Sequence, residues 1–137
     1  MLETLFPKLG DNYVITSSEN PKYNCIAWAY GDDSNCFWPM EGYYWPDDIA
    51  CEVTIEAFME LFASIRYQCC NNPLFEPGYE KVAIYVLDDI PTHAARQLNN
   101  GKWTSKLGQY VDIEHDTLEG LNGVEYGDAV IFMRREI

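Results

Sequence analysis

Bases are scarce in this chain. Nine lysines and arginines stand against 22 aspartates and glutamates in 137 residues, a formal net charge of −13. Such a chain lacks the basic surface that neutralises phosphates, which argues against a nucleic-acid partner and against an anionic membrane. Histidine is scarcer still: His93 and His115 are the only two, so any chemistry that needs an imidazole must draw on one of them. No apolar run approaches the eighteen or so residues of a membrane span. Met1 opens no basic-then-apolar leader, so the expectation is a cytoplasmic protein, or one exported by a signal-independent route. The five cysteines (Cys25, Cys36, Cys51, Cys69 and Cys70) show no paired short spacing. Structural zinc is therefore not expected, and an odd count without a leader does not predict a disulfide framework. No metal or cofactor is implied, and the oligomeric state does not follow from the sequence.

What is abundant is apolar and aromatic. Hydrophobic residues make up 47% of the chain, with 4 Trp, 10 Tyr and 6 Phe, enough for one domain over residues 1–137 with a sizeable core. Residues 1–22 read as an N-terminal arm with a short strand at 13–15. A loop over 31–53 carries Trp38 and Trp45, each followed by proline. Residues 54–69 predict the clearest helix, capped by Thr54, with Ile55, Phe58, Met59, Phe62 and Ile65 at spacings of three and four. Residues 81–87 predict a central strand. Residues 92–98 and 102–107 predict a hairpin around Asn99-Asn100-Gly101. Residues 112–121 read as a helix capped by Asp112. A last strand covers 129–133. Helices first and then a mostly antiparallel sheet define an α+β fold.

The stretch that carries chemistry is Asn24-Cys25-Ile26-Ala27-Trp28-Ala29-Tyr30-Gly31. Asn24 is a good N-cap and Gly31 a natural stop, which places Cys25 in the first turn of a helix. Unpaired N–H groups and the helix dipole favour a thiolate there. A cysteine nucleophile needs a base, and the base needs an orienting partner. His93, beside small residues at the start of a strand, is the better candidate base; His115 reads as solvated or capping. Two partners for His93 remain open: Asp112, which competes with its capping role, and Ser105 across the hairpin. The Cys25 N–H, assisted by Asn24, is the candidate oxyanion donor. Trp28, Trp38 and Trp45 are candidates to wall the cleft, or else to cap a small core.

Cys25 at a helix start, followed by His93 on a strand that leads through Asn100-Gly101-Lys102-Trp103, resembles the papain-like superfamily. The order is similar to its compact NlpC/P60, CHAP and transglutaminase-core branches. The resemblance implies a papain-like core in which a cysteine–histidine pair cleaves or transfers amides: a peptide, an isopeptide or a glutamine side chain. Where those enzymes place an aspartate near the end of the second hairpin arm, this chain has Leu107-Gly108. The chain also resembles a small family of uncharacterised bacterial domains that share residues 24–29, 92–98 and 103–108. The alternative expectation is a non-catalytic acidic module that binds or inhibits a basic protein, in the manner of an immunity protein, through the region of Trp38 and Trp45.

Overall fold

The computed structural model describes residues 2–137. Four-residue α1 (Leu2–Leu5) leads to β1 (Tyr13–Ile15), then α2 (Cys25–Tyr30) and α3 (Ile55–Ala63). The remainder is β2 (Gln68–Cys70), β3 (Tyr79–Leu87), β4 (Ile90–Gln97), β5 (Trp103–Lys106), β6 (Asp112–His115), a 3-10 turn (Glu119–Leu121) and β7 (Asp128–Glu136). The strands form one seven-stranded sheet in the order β1-β6-β5-β4-β3-β7-β2. Every ladder in it is antiparallel, so the α+β expectation holds at that level. None of the described helices is long and apolar enough to cross a membrane.

Strand alternation divides the core in two. Val82 and Ile84 of β3 and Ala94 of β4 pack with α2 and α3 on one face. Ala83, Tyr85, Ala95, Trp103 and Ile113 pack on the other, against Leu2, Phe6 and Leu9 and against Leu118 and Leu121. The N-terminal segment is thus more than a cover: its apolar side chains fill one half of the core, and β1 extends the sheet beside β6. On the first face, α3 buries Phe58, Leu61 and Phe62 completely, each worth roughly 1.5–3 kcal/mol of transfer free energy.

Two helical expectations give way to strand. The helix over 54–69 stops at Ala63. Ser64 donates its hydroxyl to the Leu61 carbonyl, and Arg66 takes a left-handed φ of 79° that helical backbone cannot continue. Gln68–Cys70 then gains a ladder with β7. The helix at 112–121 is replaced by β6 and the 3-10 turn. Asp112 caps nothing. Residues 112–115 instead fill the slot between β1 and β5, where both backbone edges find partners. Ile113 and His115 share the interior face at period two, a pattern that a four-residue strand displays too briefly to stand out.

Between β3 and β4 the chain turns on Asp88 and Asp89, both at positive φ (52° and 65°), the conformation of a two-residue hairpin turn whose twist matches the strands. β4 and β5 pair only at Arg96↔Thr104 and Gln97↔Trp103. Towards its start β4 parts from β5, and there the N-terminus of α2 comes against it. Asn24 fixes that end. Its Oδ1 accepts from the N–H groups of Ala27 and Phe37, at 3.1 and 3.0 Å, and its Nδ2 donates to the Phe37 carbonyl at 2.7 Å. One side chain therefore both caps α2 and pins the 31–53 loop. Asn24→Ala should cost about 2 kcal/mol or more, above the roughly 1 kcal/mol of an ordinary cap. Asn24→Asp, which keeps the acceptor but loses the donor, should fall between. Urea unfolding midpoints check the order.

Candidate functional site

The site is built where α2 meets the start of β4. The Cys25 thiol is buried, 7% exposed, and donates to the Thr92 carbonyl at 4.0 Å. The backbone N–H groups of Ala94, Ile26 and Cys25 itself are directed at the sulfur and favour the thiolate, as does the charge of Lys106. Burial outweighs them all and pushes the thiol up to about 11. At rest it is protonated at neutral pH, so the helix start does not by itself yield a thiolate.

His93 lies on the opposite side of the same backbone. Its ring stacks on Tyr126, with centroids 4.1 Å apart and planes 9° from parallel, and meets Tyr85 edge-on at 5.2 Å. No hydrogen bond joins it to Cys25 among the described residues; its Nδ1 is buried with no hydrogen-bond partner. Thiol and imidazole reach one short stretch of β4, residues 92–94, from its two sides.

The other ring nitrogen is firmly held. His93 Nε2 lies 3.0 Å from Ser105 Oγ, which lies 2.8 Å from His115 Nε2. His115 Nδ1 lies 2.9 Å from the Thr117 carbonyl. A carbonyl only accepts, so His115 Nδ1 carries the proton and its Nε2 is bare. Ser105 must then donate to His115 and accept from His93, which places the proton of His93 on Nε2. His93 Nδ1 is left as a buried lone pair. Both histidines are neutral: burial holds His93 well below the usual imidazole range, helped by nearby His115, and brings His115 down to about 4.

Of the two candidate partners for His93, the geometry selects Ser105. Asp112 sits on the α2 side of the sheet, where its Oδ2 accepts the Tyr23 hydroxyl at 2.6 Å; it makes no hydrogen bond to His93. His115 is the residue that sequence reasoning missed. Read as a solvated helical residue, it is fully buried on β6. The only signal that could have found it was the alternation Ile113-Glu114-His115. Asn24 is engaged by its cap and loop contacts, which leaves the Cys25 N–H as the oxyanion donor of the two that makes no hydrogen bond to another residue among the described ones.

The tryptophans divide. Trp28 donates to Thr104 Oγ1 at 2.9 Å and carries the Arg96 guanidinium over its ring at 5.5 Å. Trp45 packs on Phe58 and donates to the Ala50 carbonyl. Both serve as packing. Trp38 packs on Phe58 too, but it also lines a cavity of 220 Å³ with Asn24, Cys36, Met40, Tyr43, Gly108 and Gln109. All five cysteines are free thiols. No cluster of His, Cys, Asp and Glu among the described residues could hold a metal.

Fold and site together define an antiparallel α+β domain with a buried thiol beside a neutral His–Ser–His hydrogen-bond chain. The chain belongs to the family described as "Domain of unknown function (DUF7689)", whose pattern it matches over residues 14–134. No curated protein and no solved structure matches it.

The two buried imidazoles tie stability to pH. Their folded pKa values lie below the unfolded value near 6.5, so the unfolded chain takes up protons first as pH falls. The stability they contribute is complete above roughly pH 7 and is lost as pH falls through 6.5 towards 4, at up to about 1.4 kcal/mol per pH unit for each histidine. Urea midpoints measured from pH 7.5 to 5 should show this decline, and His115→Gln should flatten it. A flat profile in the unsubstituted protein would mean that the histidines are not buried neutral.

Proposed function

We propose that the protein is a thiol hydrolase or acyltransferase acting on an amide bond, with Cys25 as nucleophile and His93 as base, on a core of papain-like design. The observation that carries this reading is the unpartnered Nδ1 of His93. A buried nitrogen lone pair without a partner is costly unless it has a use. This one belongs to a ring locked by stacking and by a chain that fixes its tautomer, on the strand whose backbone touches the Cys25 sulfur. In the families this sequence resembles a carboxylate orients the histidine; in this reading the Ser105–His115 pair takes that part, in a chain that has Leu107-Gly108 where the resemblance would put an aspartate.

The chemistry follows from those positions. Thiol and ring rest on opposite sides of β4, so this reading requires the Cys25 side chain to turn past the strand at Thr92 as it attacks the amide carbon and gives its proton to His93 Nδ1. The resulting imidazolium is stabilised through Nε2–H by Ser105. His93 then protonates the leaving amine, the C–N bond breaks, and a thioester remains on Cys25. Water, or a second amine in a transferase, attacks the thioester while Nδ1 takes its proton, and the thiol is regenerated. Because the thiol rests protonated, the step relies on proton transfer during attack rather than on a preformed ion pair.

A second reading, a binding module for a basic protein, is favoured by the exposure of Met40, Tyr43 and Tyr44 on a chain of net charge −13. Large amphipathic side chains in an acidic surround suit such a partner.

The two readings separate in one experiment. A panel of neutral and basic peptides and isopeptides is incubated with the protein at pH 7.5 and products are read by mass spectrometry. The enzyme reading predicts an acyl adduct on Cys25 and loss of cleavage by at least about 100-fold in Cys25→Ala and His93→Ala, with a smaller loss of roughly 10-fold in Ser105→Ala. Cleavage that survives Cys25→Ala, or a panel left wholly intact while a basic partner binds, would sink it.

A further inference from the structure

The larger cavity near the site lies on the far side of Tyr126. Its volume is 480 Å³, and its walls are mainly Leu5, Phe6, Leu107, Tyr110 and Tyr126, with Glu125 the one charged side chain among the described residues. We infer that this cavity receives a bulky apolar side chain or acyl group adjacent to the amide on which Cys25 acts, in a neutral or basic substrate. The inference rests on the enzymatic reading above and adds its substrate class.

Three observations support it. Tyr126 is common to the cavity wall and to the stack on His93, so whatever fills the cavity abuts the ring that braces the base. Tyr126 is also held in place. Its carbonyl accepts the Thr92 hydroxyl at 2.6 Å, and Gly123 and Gly127 exchange two backbone hydrogen bonds around it. Gly127 has no room for a side chain: at φ +75° an added Cβ would fall 2.0 Å from the Val86 carbonyl oxygen. A wall this constrained is preformed, as ligand sites generally are.

The second observation is continuity. Gly108 lines both this cavity and the 220 Å³ cavity beside Asn24. The turn that carries Leu107 and Gly108 is thus a low ridge between two hollows, one reaching Asn24 next to Cys25 and the other reaching Tyr126 against His93. An extended chain laid over Gly108 could touch both hollows at once, with an apolar group seated in the larger.

The third is charge. Glu125 is the one acidic side chain among the described residues of the wall, and the chain as a whole carries −13. An acidic ligand would meet repulsion from Glu125, and no lysine or arginine among the described residues of the wall offsets it.

Binding can be read without turnover. The uniformly 15N-labelled full chain is titrated with N-acetyl-phenylalaninamide and, separately, with the corresponding glutamate amide. The phenylalanine ligand should shift the amide resonances of Leu5, Tyr110 and Tyr126, and the glutamate ligand should not. Leu5→Trp and Tyr110→Trp, both at partly exposed positions that can fill the cavity, should each weaken the phenylalanine ligand by at least about tenfold. Absence of shifts at these residues up to about 20 mM ligand, equal binding of both ligands, or undiminished binding in both tryptophan variants would overturn the cavity assignment. Peptide cleavage measured in parallel keeps the two claims apart. Cavity binding with no Cys25-dependent cleavage refutes the enzyme and with it this role for the cavity. Cys25-dependent cleavage with no cavity binding refutes the cavity alone.

Discussion

The carbonyl oxygen of Thr117 can only accept a hydrogen bond, and that constraint propagates through three buried contacts to His93. It takes the Nδ1 proton of His115; His115 then accepts from Ser105, and Ser105 accepts from His93. Each step follows from the valence of the group before it, provided both rings are neutral, and burial keeps them so. The outcome is a histidine with a single tautomer and one bare nitrogen. Without the chain His93 would be a buried imidazole of indefinite protonation. With it, the ring has a defined polarity along the sheet, from β6 through β5 to β4.

That polarity has value only because of a defect in the sheet. β4 and β5 pair at their connected end and part at the other. The parting leaves backbone groups of β4 to be met by something else, and the first turn of α2 meets them: the Cys25 thiol at the Thr92 carbonyl, the Ala94 N–H at the sulfur. Asn24 holds that turn and the following loop with one side chain. Sheet, helix and loop therefore converge on residues 92–94 from different directions. The thiol comes from the side of α2 and the imidazole from the side of Tyr85 and Tyr126. Proximity arises from the backbone they share rather than from a common face.

Much of this was legible in the sequence, for identifiable reasons. The helix at Cys25 is announced by local chemistry, an Asn cap and a Gly stop, and it falls at residues 25–30 with Asn24 and Gly31 in those roles. The strands of β3, β4 and β5 carry strong apolar or turn signals and were found within a few residues. Ser105 was reachable by counting across the hairpin. What failed lay where long-range pairing overrode the local pattern. β6 is four residues long with two charged side chains among them, and only its neighbours β1 and β5 make it a strand. His115 and Asp112 were misplaced together for that reason, since a helix puts both near solvent whereas a strand sends them to opposite faces of the sheet. The end of α3 failed likewise, because the ladder with β7 that claims Gln68–Cys70 involves residues more than sixty positions away.

The neutral chain also shapes the energetics that the proposed chemistry would have. A carboxylate behind a histidine stabilises the imidazolium by full charge; a serine hydroxyl offers only a dipole. In the same low-dielectric surround, an uncompensated carboxylate would itself cost on the order of several kcal/mol to bury, and no lysine or arginine among the described residues bonds to the His93–Ser105–His115 chain to offset it. Lys106, buried on the α2 side, donates to the Tyr110 and Gly108 carbonyls and lies across the sheet from His93. A His–Ser–His chain is the arrangement that fixes a tautomer deep in a core without introducing a charge. In the proposed chemistry its consequence would be a weaker base, paired with a thiol that burial keeps protonated. Such a site would be quiet towards indiscriminate electrophiles and would depend on ligands that position themselves by binding.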